Sequence, residues 1–353
     1  MQILQNNLPK IFIDSSLSTI SNDRDLLIVG FGFTNEWAVR RLKEMWAKRD
    51  SHTNAYGRDK KETDEIGAKD VGGIITLIDL NLDTHTSPKI LAEMDVMTPM
   101  GLYFNTPTKE LFVGSAYSII SIKNGTISRT LDNNLFSQIH GISSSPLGIY
   151  VACSNTDAIV EVDPSKPNEN LWDWIATEHG FNITKKGEKR TISRDINYQK
   201  TEDNATLNHT THVNSVESFD DNNILATLFH QNSLVMINKK TFELKYILRD
   251  IINPHAIHHI KNGFIVSDTR GNRSIILNKD LKVVQELKKD FDWVQDSIEF
   301  NKYYIVGNDN KHELSVFDVK GGFKQEFVWK ENTRKLSSLL KVSGGEAKNI
   351  FLP

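Results

Sequence analysis

The stretch "NPHAIHHIKNGFIVSDTRGNRSIILN", Asn253–Asn278, holds two short apolar runs parted by a polar turn: "GFIVSD", which reaches the small residue Ser267, and "SIILN", which ends on Asn278. Runs of this length, rich in β-branched and aromatic residues and bounded by Gly, Asn and Asp, are strand signals. The pair recurs five more times. "LLIVGFG", "LFVGSA", "GIYVACS", "NILATLF" and "YYIVGND" reach Gly30, Gly114, Ala152, Ala226 and Gly307, and after them come "IITLID", "SIISIK", "AIVEVD", "SLVMIN" and "ELSVFD". Counting back from the small residues puts the equivalent start of each unit at Ser18, Met100, His140, Asn214, His255 and Asp296, at spacings of 82, 40, 74, 41 and 41. A unit of about 40 residues built from four short strands has the size of a propeller blade, a sheet that cannot bury both its faces alone. The two long intervals are one blade plus an insertion, at about 34–71 and 175–210. The expectation is therefore an all-β chain, one six-bladed β-propeller over residues 1–353.

Composition sets the outer limits. With 353 residues, 39% hydrophobic and 25% charged, the chain can bury a large core. A net charge of -3 and a pI near 6.4 offer no basic stripe for nucleic acid. Cys153 is the single cysteine, so an intramolecular disulfide and a cysteine zinc site are both excluded, and any metal must be held by His, Asp, Glu or Asn. No apolar run approaches the roughly 18 residues of a membrane span. The opening "MQILQNNLPKIFIDSS" lacks the basic and apolar regions of a signal peptide, which predicts a cytoplasmic protein.

The insertions differ in kind. In "NEWAVRRLKEMWAKR" the residues Trp37, Val39, Leu42 and Trp46 fall at roughly helical spacing, which predicts a short amphipathic helix over 36–50, on the propeller rim or against a protein partner. The segment 182–208 is charged and polar without periodicity and predicts a long mobile loop, a lid over the site mouth.

In a propeller the innermost strand of each blade runs beside the axis, so the six unit starts should form a ring there. His212 lies two residues before Asn214 and shares its face in an extended segment. His140, His212 and His255 thus converge with Asp296 and Asn214 from separate blades, while His258 and His259 follow at alternating phase, one of them at most facing inward and the pair largely outside the site. Three neutral imidazoles are a ligand set for one divalent transition metal (Fe, Zn, Mn, Cu or Ni), with positions left open for water or substrate. Without metal the same groups suit acid–base or nucleophilic work.

"HVNSV" at 212–216 with "PHAIHHIKNGFIVSDTRGNR" at 254–273 resembles the bacterial arylsulfate sulfotransferase group, and "LWDWIATEHGF" is similar to the Trp-x-Trp segment that such proteins carry before that motif. The resemblance spans Trp172 to Asn278 and implies that His212, His255 and Arg273 bind substrate and the sulfuryl group, with Asn214 and His179 beside them. Where that family carries its covalently modified histidine, "DWVQDSIEF" has Gln295 and Asp296. "IHGISSSPLGIYVACSNTDAIVEVDP" is similar to the blades of virginiamycin B lyase and related metal-dependent propellers.

The reading that follows is an enzyme with an axial His-rich site, acting on a small anionic or phenolic molecule, metal-dependent or sulfotransferase-like. In it His212, His255 and Asp296 are catalytic, Asp296 orienting a histidine or acting as base, and Arg273 holds an anionic substituent. The alternative is a non-catalytic propeller that binds a protein or peptide on its top face. Ring closure is expected to use both ends, "KIFIDSS" and "EAKNIFL".

Overall fold

The structure, a computed structural model, describes residues 11–34, 72–82, 88–200, 206–329 and 334–353. Six antiparallel sheets stand in a ring. Blades two to six each hold four strands in up-and-down order, with innermost strands Gly101–Asn105, Ile139–Ser145, Val213–Ser218, Ile257–Ile260 and Val294–Phe300. The six-bladed propeller predicted from the repeat is the observed fold. The candidate helix at 36–50 lies outside the described residues.

The first blade is assembled from both ends of the chain. Its innermost strand is Lys335–Ser343, followed outward by Asp25–Phe33, Ile74–Asp79 and Lys89–Asp95, with Ile11–Ile13 as a fifth, outermost strand. Both termini close the ring as expected, but the C-terminal contribution is "KLSSLLKVS". "EAKNIFL" belongs instead to the helix Gly344–Phe351, which Ser343 and Glu346 start with a reciprocal capping box. That helix buries Ala347, Ile350 and Phe351, and the carbonyls of Asn349 and Ile350 accept from Asn124 and Gly125 of blade two.

The core is divided among the seams between blades. Each sheet presents apolar residues on both faces, and six buried clusters result, one per pair of neighbouring blades; Leu26, Ile28, Leu102 and Leu111 fill the seam between blades one and two, and Tyr150, Ile159, Val213 and Ile224 that between blades three and four. The small residues that marked the repeat serve these seams. A Cβ on Gly114 would lie 2.6 Å from Ile139 of the next blade, and one on Gly307 would lie 2.8 Å from Leu336.

The described part of the polar insertion after blade three, 176–200 and 206–210, is a loop with short 3-10 turns, as its composition predicts, and it is tied down at several points. Arg190 pairs with buried Asp157 at 2.9 Å, Arg194 bonds to Asp173 and Glu178, and the Gln199 side chain donates to the Tyr117 carbonyl. No helix among the described residues is long and apolar enough to cross a membrane.

Candidate functional site

A β-bulge at the same place in the inner strands shapes the axis. The pairing registers with the second strands skip His140, Asn214, Gln295 and Ser337. Met100 and His255 fill the same place at the heads of their strands, donating their N–H to the carbonyls of Gly114 and Ser267. A bulged residue is left outside the ladder, and its side chain is re-aimed. All six line the axial channel.

Two ring positions therefore need correction. Ser18 is exposed in the 3-10 turn Ser15–Thr19, far from the axis, because Gly30 pairs not with an upstream hairpin strand but with Ser338 of the C-terminal strand. In blade six the bulge residue is Gln295, and Asp296 follows it, opposite Gly307.

Three further candidates, His212, Arg273 and His179, are not among the channel residues; His212 is buried behind them at 5% exposure. The Arg273 guanidinium is shared among Asp268 at 2.8 Å, Glu286 at 2.8 Å and the Asp250 carbonyl at 2.9 Å, so Nε, Nη1 and Nη2 each donate to blade five or to the segment leading into it. His179 stacks between Trp174 and Phe242, with ring centroids 5.8 and 5.0 Å away, on the outer part of the seam between blades three and four.

The bulge also changes which of the paired histidines faces inward. One inserted residue slips the alternation of faces by one, so that His258 continues on the channel side. His259 is exposed and bonds the Ser218 carbonyl at 2.6 Å. His258 Nε2 lies 2.8 Å from Asp296 Oδ1, and its Nδ1 lies 3.9 Å from Glu217 Oε1. The Asp296 carboxylate also accepts from the backbone N–H of Ser297 and of Leu339, both at 2.7 Å, which ties blade six to the closing strand. Its side chain is 3% exposed and that of His258 is 29% exposed. The carboxylate is thus fixed and the imidazole is open to the channel.

These surroundings move the titrations toward neutrality. Burial pushes the Glu217 carboxyl up to about 7, against the opposing pull of His258 and the Ser218 N–H. Burial works against a charge on His258, but Asp296, and behind it Glu217, prevail and raise it to about 8. The space open beside them is about 30 Å³, room for roughly two water molecules.

Beside the channel-lining His140 and His255, the buried rings of His209, His212 and His230 complete a cluster of five imidazoles. His212 sits among His209, His140 and His230, with ring centroids at 4.9, 5.2 and 5.4 Å. It occupies the left-handed region at φ 51°, as do Gln138 and Asn253 at the same place ahead of their strands. The conformation is held by Asp157, whose carboxylate accepts the backbone N–H groups of Thr210, Thr211 and His212 at 2.8, 2.8 and 2.6 Å. Burial lowers His140 to about 4; burial and then His140 lower His255 to about 3. His212 falls well below its ordinary value through burial and its four imidazole neighbours. All three are neutral at pH 7 and keep a lone pair.

The expected trio His140, His212 and His255 is not preassembled for a metal. The Phe229 ring packs against both His212 and His255, 5.0 and 5.1 Å from them, and His255 Nδ1 bonds Thr269 Oγ1 at 2.9 Å. Among the described residues no three His, Cys, Asp or Glu side chains form a ready metal-binding group. Sequence reasoning missed His209, His230, Glu217 and His258. The spacing His209-x-x-His212 was a usable signal, and Glu217 and His258 each lie three residues beyond a ring position.

No protein-family model matches the chain, and no curated protein matches it. Solved structures do resemble it. A chain of the nidogen/laminin complex superposes with a TM-score of 0.57 at 11% identity, over 91% of this chain and 98% of that one. A protein of unknown function from Bacteroides caccae does so with a TM-score of 0.56 at 13% identity, over 90% and 99%. Neither bears the name of a sulfotransferase or a lyase. At such identities the likeness is one of fold, the β-propeller, and the chemistry has to be read from the residues of this axis.

Proposed function

We propose that the chain is an enzyme that carries out acid–base chemistry on a small anionic or phenolic molecule entering the axis from above. Glu217 takes the proton, His258 gives it, and Asp296 holds the imidazole in place. The observation that carries this reading is the meeting, on one channel wall, of a carboxyl raised to about 7 and an imidazolium raised to about 8, the latter fixed at 2.8 Å by a buried carboxylate. Groups poised on either side of working pH are suited to general base and general acid. The open 30 Å³ admits a reacting group, a carboxylate or a sulfuryl oxygen, while the body of the molecule stays in the mouth lined by His140, Asn214 and His255. In this reading the cation facing an anionic substituent is His258, not Arg273.

The test is turnover of chromogenic aryl sulfates and aryl esters across pH. Glu217 must be ionised and His258 protonated, so activity should rise through about pH 7 and fall through about pH 8. Glu217→Gln and His258→Asn should each remove turnover with the fold intact. Unaltered rates in both variants would sink the assignment. The narrowness of the channel favours a second reading, a propeller that presents its upper face to a protein or peptide without chemistry. It predicts no turnover in the wild type and no consequence of either substitution.

The same groups give a pH dependence of stability. Between its ordinary 4.5 and about 7 the folded chain keeps a proton on Glu217 that the unfolded chain has lost; between 6.5 and about 8 the same holds for His258. Both contributions are present at acid pH and lost as pH rises, roughly 3 kcal/mol of it through Glu217. Urea midpoints at pH 5 and pH 8.5 should therefore differ less in Glu217→Gln than in the wild type. An equal difference in both would show that Glu217 is not the titrating group.

A further inference from the structure

We propose a second site in the buried imidazole cluster behind His140 of the channel wall: a divalent transition metal held by His209 and His212, with His140 and His230 completing an all-imidazole set. The hydrogen bonds on the far sides of these rings carry the argument. A carbonyl oxygen can only accept, so each ring nitrogen facing one must bear the proton. His209 Nε2 lies 3.0 Å from Asn155 Oδ1, His230 Nε2 lies 2.9 Å from the Thr206 carbonyl, and His140 Nδ1 lies 3.0 Å from the Gln138 carbonyl. The lone pairs of these three rings therefore reside on His209 Nδ1, His230 Nδ1 and His140 Nε2. An outer oxygen that fixes the tautomer and leaves the other nitrogen basic is the usual support of a metal-bound histidine.

His209 and His212 present their Nδ1 atoms to each other at 2.6 Å. Because His209 Nδ1 carries a lone pair, His212 Nδ1–H is the donor of that contact. A metal replaces the proton between them, and His212 carries its own proton on Nε2 instead, with no net change of charge on either ring. Bonds of about 2.0–2.1 Å in tetrahedral geometry set two nitrogens roughly 3.3 Å apart, so the gap must open by under about 1 Å. In the described conformation the four rings do not converge on one point. Binding requires this contact to open and the His140 and His230 rings to turn toward it. Imidazole nitrogen without carboxylate suits zinc, copper, nickel or cobalt over magnesium or calcium. His255 is left out of the set because the Phe229 ring packs against both it and His212. The site lies apart from Glu217, His258 and Asp296, so it stands or falls independently of the acid–base reading.

The experiment uses full-length protein without a histidine tag, titrated with zinc by calorimetry and with cobalt(II) by visible absorption. The expected result is one metal per chain and the intense visible bands of tetrahedral cobalt. His209→Gln and His212→Ala should each weaken zinc by roughly 100-fold or more, and Asn155→Ala by roughly 10- to 100-fold. His255→Ala and Glu217→Gln should bind zinc as the wild type does. Circular dichroism checks the fold of each variant, and should His212→Ala fail to fold, His209→Gln alone decides. Absence of stoichiometric zinc in the wild type would overturn the proposal, and so would wild-type affinity in His209→Gln or a loss in His255→Ala as large as that in His209→Gln.

Discussion

A chain ended at residue 334 is expected to yield no folded propeller. The lost segment is the innermost strand of blade one and the helix behind it, and it carries Leu336, Leu339, Val342, Ile350 and Phe351, each at most 4% exposed. Burial of a large apolar side chain is worth about 1.5–3 kcal/mol, so the five together supply an upper estimate of roughly 7–15 kcal/mol. That matches the whole folding free energy of a typical domain, about 5–15 kcal/mol. The strand Asp25–Phe33 would also be left with an open inner edge. Circular dichroism and gel filtration of the truncated chain should show unfolded or aggregated material. Addition of the 335–353 peptide should restore a fraction of it. A monomeric truncated chain with a cooperative melt would show that blade one does not depend on the C-terminal strand.

Asp157→Ala should be the most damaging single substitution near the site. The Asp157 side chain is fully buried, pairs with Arg190 and accepts three consecutive backbone N–H groups and the Thr211 hydroxyl. Its removal leaves the Arg190 charge buried at 11% exposure with no carboxylate, a loss of the order of 3–5 kcal/mol. It also frees His212 from a left-handed conformation that a non-glycine residue adopts at a cost of about 1–2 kcal/mol. Arg190→Met, which removes the charge and leaves the carboxylate its backbone donors, should cost less. A melt of Asp157→Ala within about 2 °C of the wild type would show that the loop is held by other contacts.

The blades were legible in the sequence because their markers answer to packing. Gly30, Gly114, Ala152, Ala226, Ser267 and Gly307 are small where the second strand meets the inner strand, and that need recurs with every blade. Ser18 was misread because the partner of Gly30 is more than 300 residues downstream, where no local count reaches it. His258 was missed for a subtler reason. Alternation read from His255 presumes an unbroken ladder, and a bulge is invisible in residue types alone. His209 lies ahead of blade four and His230 in the turn between its second and third strands, and neither carries a strand phase. Arg273 was assigned by resemblance to a motif, and Asp268 and Glu286, which claim its guanidinium, lie within its own blade.

The bulges have a consequence for how such a protein changes over generations. The side chains of Met100, His140, Asn214, His255, Gln295 and Ser337 project from a backbone that owes them no ladder partner. Their identities already range from thioether to imidazole, amide and hydroxyl while the six sheets stay alike. Mutation can therefore rewrite the axis one codon at a time without crossing a valley of misfolded intermediates. The scaffold is inherited and the ring is negotiable, so kin of this chain should keep the small second-strand residues and diverge first at these six positions.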